Sequence, residues 1–185
     1  MILIISCFLG GLCEASKKHW YIPDYAKIQF AGNSGFLSVG TGYLCFGEKL
    51  QLDLFYGYVP SFIGGVDIHT ISQKNSFTLK TYKLSDNSTV SPIAGFGVNI
   101  ALDSKYTTLF TSQYPKYYYW TTATHLIFFV GAKLHNQTSR KIGANGIDIY
   151  FELGTIDLYL VDFFKSDYVD IIDILNISIG MTFHF

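Results

Sequence analysis

Four residues stand out for the chemistry their types and spacing allow: His125, Glu152, His69 and Asp67. An imidazole beside a carboxylate is the start of a general-base arrangement. An adjacent hydroxyl would then be activated for acyl transfer. The spacing of Asp67 and His69, i and i+2, puts both side chains on one face of a strand, as a two-point metal site requires. Two ligands alone fall short of a metal motif, so neither a metal nor a cofactor is expected. The chain contains no phosphate-binding glycine loop, serine elbow or Cys/His metal pattern.

These residues must be positioned by strands, because the dominant hydrophobic period is two. Leu50, Leu52, Leu54, Tyr56 and Tyr58 alternate with Gln51, Asp53, Phe55 and Gly57. Ala94 to Leu102, Leu126 to Leu134 and Ile147 to Leu153 repeat the pattern. The last segment is the cleanest, with Leu175, Ile177, Ile179, Met181, Phe183 and Phe185 set against Asn176, Ser178, Gly180, Thr182 and His184. Shorter segments at 26–31 and 35–44, and an irregular one at 66–82, raise the expected count to about eight strands. Parity is lost near Lys74 and Asn75, where a bulge or a slipped register is expected. Turn chemistry separates the segments at Gly47-Glu48, Ser61–Gly65, Ser85–Ser88 and Asn136–Asn145. A long loop is expected over 103–122 and a final loop or strand extension over 155–170, and no stretch of comparable length reads as an amphipathic helix.

Composition narrows the architecture further. Of 185 residues, 49% are hydrophobic, 17% aromatic and only 15% charged, where a soluble domain carries about 25% charged residues. No stretch approaches the roughly 18 consecutive apolar residues of a membrane helix. Two architectures fit: a soluble β protein, or a barrel closed within a membrane. The polar face of each strand discriminates, being built mostly of Gly, Ser, Asn, Thr and Gln with isolated charges. Such a face suits the filled interior of an eight-stranded barrel better than a water-exposed surface. The large aliphatic and aromatic face suits hydrocarbon. The expected fold is therefore all-β: a closed, antiparallel, up-and-down transmembrane β-barrel of about eight strands. A lipocalin-like soluble barrel with the apolar face inside is the alternative. A formal net charge of −1 argues against nucleic-acid binding.

The two ends of the chain carry address information. Residues 1–15 are apolar and small up to Cys13-Glu14-Ala15, a small-x-small cleavage pattern followed by Lys17 and Lys18. They are expected to be a signal peptide, leaving 16–185 as a single barrel domain. Cleavage after Ala15 would leave Cys45 as the sole cysteine, so no internal disulfide is expected. At the other end, Ser178 to Phe185 fits polar-x-Gly-x-x-aromatic-x-aromatic through Gly180, Phe183 and Phe185. It resembles the terminal strand by which bacterial outer-membrane proteins are recognised for barrel insertion. The chain as a whole resembles small, largely uncharacterised barrel proteins of Bacteroidetes-type bacteria, through Gly57-Tyr58-Val59-Pro60, Gly64 to His69 and Phe151-Glu152-Leu153-Gly154. The resemblance implies an outer-membrane location. The implied partners are outer-membrane lipid or lipopolysaccharide, and the barrel-assembly machinery during biogenesis.

Connection lengths then orient the barrel, short turns toward the periplasm and long loops outward. Asp67, His69, His125 and Glu152 fall near the external mouth. Pairing Leu134 with Asn145 sets residue 125 opposite about 154, so His125 and Glu152 are expected to touch. Structural pairing across a polar lumen is the leading expectation for them, and a membrane-embedded lipid hydrolase is the alternative. Lipid A deacylases are similar in strand number and use a His-x-Ser pair with a Glu. Here His125 is followed by Leu126 and Ile127, and His69 by Thr70 and Ile71, so that pair is missing. His184 is expected to fill the periplasmic end of the lumen, and Tyr117 to Trp120 to join an aromatic girdle.

Overall fold

A computed structural model describes residues 21–102, 124–137, 145–165 and 170–185. Eleven elements follow one another: β1 (Tyr25–Ala31), β2 (Leu37–Cys45), β3 (Leu50–Val59), α1 (Ser61–Gly64), β4 (Ile68–Thr78), β5 (Tyr82–Ser85), β6 (Ser88–Ala101), β7 (Thr124–Gln137), β8 (Gly146–Ile156), α2 (Asp157–Lys165) and β9 (Asn176–His184). Each strand pairs antiparallel with its neighbours. The β1–β9 and β4–β6 pairings close eight of them into a barrel. The ninth, β5, pairs only with the first residues of β6 and carries on where β4 stops. The expected eight-stranded closed barrel is the fold observed.

The side-chain distribution is inverted relative to a water-soluble core. Leu54, Val130 and Ile177 are 55%, 57% and 59% exposed on the outer wall, while Lys27, Asp53, Lys74 and Glu152 are 5% exposed or less in the lumen. Inward sets expected for β3, β6, β7, β8 and β9 are the ones found facing the lumen.

Large rings fill the lumen because glycines make room for them. Tyr25 faces Gly42, Phe55 faces Gly40, Phe129 faces Gly95 and Tyr150 faces Gly180, each directly across a strand pair. A Cβ on Gly180 would sit 2.4 Å from the Tyr150 ring, and one on Gly95 2.3 Å from Phe129. A glycine in a strand that admits a close approach is used here for ring packing.

The 32–36 connection folds inward and plugs the long-loop end. Ser34 is 1% exposed, and its carbonyl accepts hydrogen bonds from the Thr70 and Ser38 hydroxyls at 2.6 and 3.2 Å. Asn99 and Asn176 donate to Asn33 at 2.8 and 2.7 Å.

Two expectations need correction. No bulge interrupts β4 near Lys74, since its pairing with β3 runs in unbroken register from Ile68 to Phe77. Parity is lost in the sequence because Gln73 and Asn75 face outward and hydrogen-bond each other, 2.9 Å from Gln73 Nε2 to Asn75 Oδ1. The strand breaks later, at Leu79–Thr81. Residues 157–165 form a helix, not a loop or strand extension. Cys45 is disulfide-bonded; the expectation of no internal disulfide concerns a chain cleaved after Ala15. The signal peptide, the 103–122 loop with Tyr117–Trp120, and residues 138–144 of the expected turn lie outside the described residues.

Candidate functional site

The sequence candidates divide between the two walls. Strand β7 directs His125 inward, and β8 does the same for Glu152, yet they do not meet. The β7–β8 register pairs Ile127 with Ile156 and Gly131 with Glu152. Glu152 therefore faces a point six residues from His125, about 20 Å along the strand. The imidazole instead lies 3.3 Å from the Asp157 carboxylate at the start of α2.

Glu152 takes part in the central ionic crossbar of the lumen. Lys74 on β4 reaches across to it at 2.5 Å, and the Ser178 hydroxyl of β9 donates to the same oxygen at 3.2 Å. The Lys74 ammonium also donates to Gln29 at 3.2 Å and lies 4.2 Å from the Phe129 ring centre. A second crossbar lies below: Lys27 meets the Asp53 carboxylate at 2.9 Å, and the Tyr25 hydroxyl donates to it at 2.7 Å. Each carboxylate thus has a cation and a hydroxyl, as charges removed from water require. A cavity of about 10 Å³ beside Lys74 and Glu152 has room for about one water and none for an acyl chain.

Asp67 and His69 lie on the outer surface and do not face the lumen. His69 Nδ1 is 2.6 Å from the Tyr56 hydroxyl, and its ring lies against those of Tyr56 and Tyr58. Asp67 accepts from the Tyr58 hydroxyl at 2.7 Å and the Ser61 N–H at 2.8 Å. These two donors hold its carboxyl below the ordinary carboxylate range. The i, i+2 pair therefore builds an aromatic and polar rim on the outer wall, with each member bonded to a different tyrosine.

A constellation that the sequence reading missed occupies the short-turn end. Register sets His135 on β7 opposite Asp148 on β8, and His184 on β9 one pair away, opposite Gly146. All three face inward. His135 Nδ1 is 2.5 Å and His184 Nε2 2.8 Å from different oxygens of the Asp148 carboxylate. The His135 and His184 rings meet edge to face at 5.6 Å. The signal lay in the inward positions of β7, β8 and β9, where His135, Asp148 and His184 fall near the same end. It needed the register of three strands to be read.

The barrel therefore belongs to the class of closed eight-stranded antiparallel barrels with a charged, filled interior. The chain matches no protein-family model and no curated protein.

Gly180, Phe183 and Phe185 occupy the last turn of pairing. Gly180 lies beneath Tyr150, Phe183 pairs with Ala26 and Ile147, and the Phe185 N–H donates to Asp24 at 3.0 Å.

Proposed function

We propose that the chain is an integral barrel of the bacterial outer membrane, with a structural or binding role, a filled lumen and no open pore. One observation carries this reading: large apolar side chains on the outer wall and nearly every buried charge on the inner wall. In water the outer wall would be a continuous apolar surface far beyond what soluble monomers expose. In a bilayer it is the lipid-facing band. Among the described residues no helix is long and apolar enough to cross a membrane. A closed barrel needs none, because its strands satisfy every backbone hydrogen bond between themselves.

The terminal strand supports the outer-membrane address, through Gly180, Phe183 and Phe185, and so implies the barrel-assembly machinery as a partner. The rim of Tyr56, Tyr58, His69 and Asp67 then lies at the lipopolysaccharide boundary, where amphipathic rings belong. A lipocalin-like role would require an apolar cavity inside, where this lumen holds two lysine–carboxylate crossbars. The hydrolase reading rests on a contact between His125 and Glu152 that is not made.

Extraction and electrophoresis test the proposal. The protein is expected in the detergent-extracted fraction, with folded and boiled samples migrating differently. A monomer soluble without detergent would refute it.

A further inference from the structure

We propose that His135, Asp148 and His184 form a binding site for one divalent transition-metal ion, of which Zn²⁺ is the best match, at the short-turn mouth of the barrel. The site is set by strand register and local side-chain geometry, and does not depend on where the barrel resides.

The other lumen carboxylates differ in their partners. Asp53 and Glu152 each face a lysine. Asp148 instead has an imidazole nitrogen on each oxygen. The three donor groups lie within 4.8 Å of one another. Two imidazoles and a carboxylate are a set that suits Zn²⁺ and related ions, leaving one position for water. Mg²⁺ and Ca²⁺ prefer oxygen donors throughout.

The surroundings fit a ligand set. The Asp148 side chain is 3% exposed and those of His184 and His135 are 15% and 38% exposed, so a buried carboxylate sits beneath a solvent-facing imidazole that gives an ion a way in. The Tyr25 ring packs against His184 at 5.6 Å and limits its rotation. Gly146 leaves space for His135, whose Cε1 would lie 2.6 Å from a Cβ there.

Binding exchanges hydrogen bonds for coordination. The nitrogen aimed at Asp148 then presents a lone pair to the metal: a protonated ring releases that proton to solvent, and a neutral ring carries its single proton on the other nitrogen. Bonds of about 2.0–2.2 Å in a tetrahedral set place the donors about 3.3 Å apart, so the imidazoles must move outward from their present 2.5 and 2.8 Å. The exposed edge of His135 allows that. Lys133 on the same face of β7 opposes a cation, and Glu48 on the β2–β3 turn favours one.

Calorimetric titration of the full chain in detergent, stripped with chelator, tests the site with ZnCl₂ and with MgCl₂. One Zn²⁺ per chain is expected, with no saturable Mg²⁺ binding. His184→Ala and Asp148→Asn should each weaken Zn²⁺ at least tenfold, while His69→Ala should not. His135→Gln, at the exposed rim, provides the decisive variant if the buried substitutions fail to fold, and it too should lose at least tenfold. Absent Zn²⁺ saturation, equal Mg²⁺ binding, or undiminished Zn²⁺ affinity in folded His135→Gln would each overturn the proposal.

Discussion

The inner and outer walls of this barrel use the same residue types for different ends. Tyrosine, histidine and aspartate occur on both. Outside, Tyr56, Tyr58, His69 and Asp67 form a rim whose polar atoms pair locally, tyrosine hydroxyl to neighbour. Inside, Tyr25, His184 and Asp148 are joined across strands, with the carboxylate nearly sealed from solvent. An outer polar atom that loses its partner can turn to its surroundings. An inner one has nowhere to turn, so its loss leaves an uncompensated buried group.

The largest expected effect follows from breaking the inner wall. Glu152→Ala leaves the Lys74 ammonium buried without its counter-charge, and removal of one partner from a buried pair costs about 3–5 kcal/mol. Urea unfolding in detergent should show that loss. The double variant Lys74→Met/Glu152→Leu should be less destabilised than Glu152→Ala alone, since it buries no unpaired charge. A single variant as stable as the parent would mean that the lumen is wetter than its packing implies.

Next comes the outer wall. Phe151 lies midway along β8 and is 42% exposed. Phe151→Arg should destabilise the barrel in phospholipid vesicles by about 2–4 kcal/mol, the cost of a cation at the bilayer midplane. Phe151→Leu should leave stability nearly unchanged. If arginine is tolerated as well as leucine, the outer wall is not facing hydrocarbon.

The smallest effect concerns Asp67. Its folded-state carboxyl is held low by Tyr58 and Ser61, so its contribution is fully present above the ordinary carboxylate pKa. That contribution is lost as pH falls through the lowered native value. Asp67→Asn should slightly lower thermal stability at pH 7, where the contribution is complete, and so flatten its decline below about pH 4. An unchanged decline would show that the Tyr58–Asp67 bond is neutral to stability.

The inside-out pattern was legible because alternation survives wherever one wall is uniformly apolar and the other uniformly small or polar. It failed at Gln73 and Asn75 because two amides can satisfy each other on the outer wall, which hydropathy does not register. Helix α2 escaped notice because its apolar residues, such as Leu158, Val161 and Phe164, are exposed and resemble a loop beside strong strands. The candidate site was less legible still. The sequence reading placed His125, Glu152, Asp67 and His69 on strands near one end, but contact depends on register. The offset between β7 and β8 is four residues from that expected, since Gln137 faces Gly146. The same register creates the His135–Asp148–His184 cluster, whose members are separated in sequence by 13 and 36 residues.

The four glycine–ring pairs bear on how the barrel closes. Each occupies a different seam: β1/β2, β2/β3, β6/β7 and β8/β9. A slip of one residue turns a strand inside out, so the smallest error that hydrophobicity tolerates is a slip of two. At β8/β9 that slip would set Tyr150 against Ser178 or Thr182, each with a side chain where Gly180 has none. At β1/β2 it would set Tyr25 over Gly40, already covered by Phe55, or over Leu44. A misclosed barrel therefore leaves rings without seats, and the pairs act as gauges that only the correct assembly passes.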